Sequence, residues 1–142
     1  MAKPLTSSLP PMDTSFEIQV AGRETKINWI GKFKYKRPSL GARGRIEVMH
    51  RRLNGDQESL DREVDEFHAM VAHLRHTLVE WPTWWQESNF GLDLYDGNVV
   101  SEVHDRCMTF EASWKEKVFG GDTKGVGDVD GDQAASALTA AP

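Results

Sequence analysis

The feature that most constrains this chain is a run of apolar residues in its middle third, spaced alternately four and three apart. The run consists of Leu60, Val64, Phe67, Val71, Leu74, Leu78 and Trp81. Residues three and four apart share one face of an α-helix, so the spacing predicts an amphipathic helix over residues 58–80. Acidic residues crowd its first turns and Pro82 follows its end, which fits the helix dipole and the helix-ending effect of proline. Any fold of this chain must bury that stripe.

An alternation of apolar and polar residues precedes this helix. It runs from Phe16 to Val20 and resumes from Ile27 to Tyr35. A period of two is typical of half-buried β-strands, so the two segments predict a small antiparallel sheet. Gly31 interrupts the second apolar face, and we expect either one kinked strand or two short ones there. The sheet therefore has two or three strands.

Two further helices are predicted around the long one. Ser39 is a suitable N-cap for a helix over residues 40–53, and Asp96 for a helix over residues 97–119. The first of these is expected to bury Ile46, Met49 and Leu53. The predicted fold class is α+β, with the antiparallel sheet packed against three helices.

Composition supports one soluble domain. The chain has 142 residues, enough to bury a core without disulfides, and its single cysteine, Cys107, cannot form one within the chain. No segment reaches the ~20 apolar residues of a membrane span, and the first residues match neither a signal nor a transit peptide. We expect a flexible arm over residues 1–14, a domain over 15–119 and a flexible tail over 120–142, rich in Gly, Ala and Asp.

Charge is segregated along the chain. Residues 23–52 hold ten basic and two acidic residues, a net charge of +8. Residues 56–119 hold five basic and fourteen acidic residues, a net charge of -9. The two parts could neutralise each other within one molecule, could meet between copies or with a partner, or the basic part could bind nucleic acid. The acidic remainder makes nucleic acid the least favoured of these.

Candidate chemical sites do not withstand inspection. His73 and His76 share a helical face, but no HExxH motif or cysteine pair accompanies them, so exposed histidines are expected. Cys107 lies within an apolar stripe near His104, which favours a buried, inert thiol over a nucleophile. Residues 128–132 begin like a calcium loop but lack its later glycine and glutamate. We therefore expect no enzyme, no cofactor and no metal.

The tryptophans are candidates for partner contact. Trp84 and Trp85 are adjacent, so they point in different directions and one of them could be exposed as an interface anchor. The alternative is that they simply pack in the core or in a loop. The candidate contact residues are the aromatic Trp81, Trp84, Trp85 and Phe90 and the basic Lys32, Lys34, Lys36, Arg37, Arg43 and Arg45.

The order of these features also resembles a known class. A strand pair over residues 16–35 leads into helices, followed by Pro-Thr-Trp-Trp at 82–85, Gly-Leu-Asp-Leu-Tyr-Asp at 91–96, Asn-Val-Val at 98–100 and an aromatic third helix. This arrangement, over residues 15–119, resembles small morphogenesis proteins of tailed bacteriophages, and among them the tail assembly chaperones.

The resemblance implies non-enzymatic work through protein contacts. Helical surfaces would hold an aggregation-prone tail or tape-measure polypeptide during assembly, with other phage structural or assembly proteins as partners and a homo-oligomer possible through the opposed charged segments. The location would be the host cytoplasm during assembly, or the virion. Two alternatives stay open: a permanent capsid, neck or tail subunit, and a nucleic-acid-binding module.

Overall fold

The α+β fold class predicted from the sequence is confirmed. The computed structural model of the chain describes residues 9–55 and 60–120. Its elements are β1 (Asp13–Ala21), β2 (Asn28–Lys36), α1 (Leu40–Leu53), α2 (Arg62–Thr77), β3 (Leu78–Glu80), α3 (Thr83–Glu87) and α4 (Gly97–Lys115), which continues into a π-helical turn, Glu116–Gly120. Among these helices none is both long enough and apolar enough to cross a membrane.

The chain divides into two compact units. Met12–Met108 forms the unit that holds the sheet. In the other unit, the described residues are 9–11 and 109–120, and the buried Trp114 indole donates to the Pro10 carbonyl oxygen at 3.3 Å. Most of the predicted arm and tail, with the aspartates of residues 128–132, lies outside the described residues. β1 begins at Asp13, inside the segment predicted to be a flexible arm.

The sheet has the strand order β1-β2-β3 and is antiparallel throughout. β1 and β2 pair without interruption from Asp13 opposite Lys36 to Ala21 opposite Asn28. β3 pairs with the end of β2 through Leu78 opposite Tyr35, with a register shift beside it. β2 is therefore the central strand.

Gly31 marks a close contact rather than a break in the strand. β2 runs straight through it, with Ile18 opposite. A Cβ at this position would lie 2.6 Å from Cγ of Pro82 and 3.2 Å from the Trp84 ring. The interruption in the apolar pattern is thus the place where the segment after β3 packs against the sheet.

The core lies between one face of the sheet and helices α2, α3 and α4. Its fully buried members include Phe33 and Tyr35 of β2, Val71 and Leu74 of α2, Trp85 of α3, and Val99, Val100, Val103 and Cys107 of α4. The Phe33 ring meets the Trp85 ring edge-on at 5.4 Å, and Tyr35 lies 5.8 Å from His73. The apolar stripes of the sequence therefore meet on the sheet, as their periods require.

Two predicted helix boundaries and the helix number are wrong. The helix predicted over 58–80 runs only from Arg62 to Thr77, because the chain leaves it to form β3. Leu78 is buried either way, so the apolar spacing continues across the helix end without revealing it. In the part of the chain described, a fourth helix, α3, follows Pro82. The helix predicted over residues 97–119 is present as α4 with its π-helical turn, which together run from Gly97 to Gly120. Five residues are too few for α3 to show a period.

Helix α1 has the predicted bounds but not the predicted burial. The Ser39 hydroxyl caps it by accepting a hydrogen bond from the Ala42 backbone N–H at 3.1 Å. Ala42 is the buried residue of this helix, whereas Ile46, Met49 and Leu53 are only half-buried. Leu40 and Val48 are exposed by 82% and 40%. α1 therefore keeps apolar surface in contact with solvent.

Asp96 ties the start of α4 to the turn between β1 and β2. Its side chain is fully buried. Oδ1 accepts from the backbone N–H groups of Glu24 at 2.7 Å and Thr25 at 3.0 Å. Oδ2 accepts from the Thr25 hydroxyl and from the Trp29 indole N–H at 2.9 Å. Each of the two carboxylate oxygens thus accepts two hydrogen bonds, all of them from one turn and the strand that follows it.

Asn98 and Gly22 complete this connection. The Asn98 amide donates to the Ala21 carbonyl oxygen at 2.9 Å, and its own oxygen accepts from the Arg23 N–H at 3.1 Å. A Cβ at Gly22 would overlap the Asp96 carboxylate. A glycine is required there because the backbone of the turn lies against the carboxylate.

Burial by itself raises the pKa of Asp96, but the hydrogen bonds from Thr25, Trp29 and Glu24 outweigh it and lower the pKa to about 2.

We predict that Asp96→Asn lowers Tm well below that of the matched exposed variant Asp93→Asn, since an amide NH2 would face two donors. A folded-state pKa below the ordinary 3.8 stabilises the fold above that pH and loses this effect as pH falls toward 2. The stability difference between wild type and Asp96→Asn should therefore shrink below pH 3.8. Acid titration of unfolding, followed by circular dichroism, measures it, and a difference constant down to pH 2 would contradict the assignment.

Candidate functional site

A groove of about 890 Å³ lies between α1 and α2. We call it the α1–α2 groove. Its apolar floor is formed by Val48, Met49 and Leu53, with Gly41 and Gly44 beside them, and its rim by Arg45, Arg52, Arg75 and His76. No acidic side chain is among the described residues that line it. The groove is therefore an apolar surface bordered by positive charge.

Two glycines of α1 line this groove. A glycine within a helix costs about 1 kcal/mol relative to alanine. A Cβ at Gly44 would meet no other atom within 4 Å, so no contact in the described structure requires a glycine at this position. At Gly41 the nearest neighbour of such a Cβ is the flexible Arg45 guanidinium, at 3.5 Å. The glycines therefore make the helix less stable than alanines would, and no contact within the described chain explains their presence.

Arg75 is held at the rim by an aromatic stack. Its Cζ lies 3.8 Å from the centre of the Phe90 ring, a cation–π geometry. Phe90 in turn meets the Trp81 ring edge-on at 5.4 Å, and the Trp81 indole donates to Oε1 of Gln86 at 3.1 Å. Two aromatic residues predicted as contact sites therefore position a groove arginine.

The positive charge of the rim comes from arginine rather than histidine. Burial lowers the pKa of His76, and the charges of Arg45 and Arg75 lower it further. Arg45 and His76 also border a second cavity of about 190 Å³, together with Lys36 and Arg37. We call the arginines of the groove rim, together with Arg37 and Lys36, the basic strip; it extends from the α1–α2 groove to the end of β2.

Lys32 and Lys34 of β2 lie on the face of the sheet that points away from the core, and Lys36 ends the strand beside the second cavity. Lys32 and Lys36 stand opposite Glu17 and Asp13 in the antiparallel register. Lys34 pairs with Glu80 of β3, and its Nζ lies 3.8 Å from the Asp13 carboxylate. Opposite charges on neighbouring strands reduce the local field. The basic segment of the sequence is therefore split into a neutralised sheet face and a basic strip along α1.

Trp84 and Trp85 both pack against the sheet. Trp85 is 1% exposed, and a Cβ at Gly91 would lie 2.7 Å from its ring, so a partner cannot reach it, which corrects its place among the contact residues. Trp84 is half-buried: its indole donates to the Ile30 carbonyl oxygen at 2.9 Å and its ring lies 4.8 Å from that of Trp29. Both tryptophans of α3 therefore contribute mainly to packing against the sheet.

The structure thus unites only some of the predicted site residues. Of the six basic candidates, Arg45 lines the α1–α2 groove, and Lys36 and Arg37 border the adjoining cavity. Arg43 is exposed on α1 but lines neither. Arg52 and Arg75 were missed by the sequence reasoning. Arg45 and Arg52 are seven residues apart, which places them on one helical face, and this spacing could have identified Arg52.

The histidines and the cysteine are placed by packing. His73 and His76 are half-buried rather than exposed as expected, and His73 meets the His104 ring at 5.3 Å. Cys107 is buried on α4. Over residues 9–55 and 60–120 there is no group of three or more His, Cys, Asp or Glu side chains that could hold a metal ion.

Comparison with known proteins found no relative of this chain. No protein-family model matches the chain, and neither a curated protein nor a solved structure was found that is similar to it. We therefore infer function from the chemistry of the α1–α2 groove, the packing of the aromatic segment and the order of features in the sequence.

We predict that Gly44→Ala raises the free energy of unfolding by about 0.5–1 kcal/mol, because alanine favours the helix and its Cβ meets nothing. Gly31→Ala is the matched comparison and should lower it, because the new methyl group collides with the Pro82 ring. Urea unfolding followed by circular dichroism measures both. A loss of stability in Gly44→Ala would show that the groove is closed in solution.

Proposed function

We propose that this chain is a non-enzymatic assembly protein of a tailed bacteriophage, acting through protein contacts in the manner of a tail assembly chaperone. The observation that supports protein binding is the α1–α2 groove, with its uncovered apolar floor and arginine rim. The phage setting is supported by the resemblance over residues 15–119. Its partners would be other structural or assembly proteins of the phage, met in the host cytoplasm.

The dimensions of the groove favour a polypeptide over a compact small molecule. Along α1 its lining runs from Gly41 to Leu53, about 18 Å at the helical rise of 1.5 Å per residue. Grooves between helices commonly bind amphipathic segments of other proteins through apolar anchors. Val48, exposed by 40%, is available as such an anchor.

A permanent subunit of the capsid, neck or tail is the second candidate. It uses the same kind of surface but remains in the particle, whereas a chaperone is released. Nucleic-acid binding is less supported, because acidic residues of β1 and β3 flank the lysines of β2. Self-association through the opposed charged segments stays a prediction.

The test is disruption of the gene in the phage that encodes the chain, followed by electron microscopy of the lysate. We expect filled heads without complete tails, and rescue when the wild-type chain is supplied from a plasmid. Mass spectrometry of purified particles then separates the two candidates: a chaperone is present in the infected cell and absent from the particle, and a subunit is present in both. Normal infectious particles without the gene would contradict both.

A further inference from the structure

We propose that the α1–α2 groove binds an acidic amphipathic helix of a partner protein. This inference rests on the proposed function only in taking the ligand to be a protein. It adds the chemistry of the bound segment: carboxylates on its flanks and apolar side chains on the face that enters the groove.

Charge complementarity supports an acidic segment. Arg45 and Arg52 extend from one turn of α1 to another on the same face, and Arg75 faces them from α2. Arg75 lies over the Phe90 ring, and this cation–π contact favours the position of its guanidinium at the rim before a ligand arrives. Without an acidic side chain among the described lining residues, the rim offers guanidinium groups that can pair with carboxylates.

The shape supports a helix. The lining of α1 spans about 18 Å, which equals the length of about three helical turns. The groove presents apolar side chains at helical spacing: Met49 and Leu53 are four residues apart on α1, and Val48 lies beside Met49. Gly41 and Gly44, three residues apart, leave space in which a second helix can approach the backbone closely. Close approach of a partner helix would explain the two glycines of α1, which contacts within the described chain do not explain.

The probe is a synthetic, fluorescein-labelled peptide of about eighteen residues, with leucines on one helical face and glutamates on the flanks. The first control peptide has the same composition with the leucines distributed around the helix. The second has lysine in place of every glutamate. Fluorescence anisotropy against the full chain should show binding of the acidic amphipathic peptide alone, and weaker binding at 500 mM than at 50 mM salt because exposed charges are screened.

Matched variants locate the binding. Arg52→Glu reverses a rim charge, whereas Arg51→Glu makes the same change at the neighbouring exposed position, which does not line the groove. Val48→Glu alters the floor, and Val64→Glu alters an equally exposed valine, also 40%, outside it. We expect Arg52→Glu and Val48→Glu to weaken binding at least about tenfold and the two controls less than about twofold, with unchanged circular dichroism in all four. Gly44→Ala should weaken binding although it stabilises the fold.

Four results would overturn the proposal. They are equal binding of the distributed peptide, tighter binding of the lysine peptide, equal loss in both members of a matched pair, and a wild-type dimer that Val48→Glu converts to monomer in light scattering. The last would identify a second copy as the occupant. Because the peptide assay needs no phage, its failure leaves the gene-disruption test of the proposed function unaffected. Normal particles without the gene would overturn that function and leave peptide binding standing.

Discussion

The buried carboxylate of Asp96 is the interaction on which the arrangement of the described domain depends. It joins a turn near the start of the chain to a helix that begins some seventy residues later, through four hydrogen bonds and the Asn98 pair beside them. A buried charge is costly unless its acceptor capacity is used, and here backbone, hydroxyl and indole donors use it. A polar contact therefore positions the β1–β2 hairpin relative to the start of α4, and the apolar faces of these elements pack in that arrangement.

The apolar periods predicted the element types well, because burial of a face imposes them directly. The strand pair, the bounds of α1 and the existence of α2 and α4 follow from periods of two and of three to four residues. The short β3 could not be read from Leu78, which is buried whether it belongs to a helix or a strand. The role of Gly31 was equally hidden, since it depends on Pro82, a contact made fifty residues away in sequence.

The candidate site was predicted less completely, for a related reason. The sequence shows that residues 23–52 are basic, but only the sheet register reveals that Lys32 and Lys36 face acidic partners on β1. The arginines that matter for the groove come from two helices, and their convergence is tertiary. Phe90 shows the same limit: its aromatic character suggested a contact surface, whereas its contact with Arg75 makes it a support for one.

The aromatic packing has a consequence for spectroscopy. The rings of Trp29, Trp84 and Trp85 follow one another at centroid distances of 4.8 and 6.0 Å, close enough to share excitation energy. Their intrinsic emission will report the contact of β2 with α3 as one signal rather than three. Trp81 contacts Phe90, whose ring carries Arg75 over its face, so its emission should respond to changes at the rim of the groove.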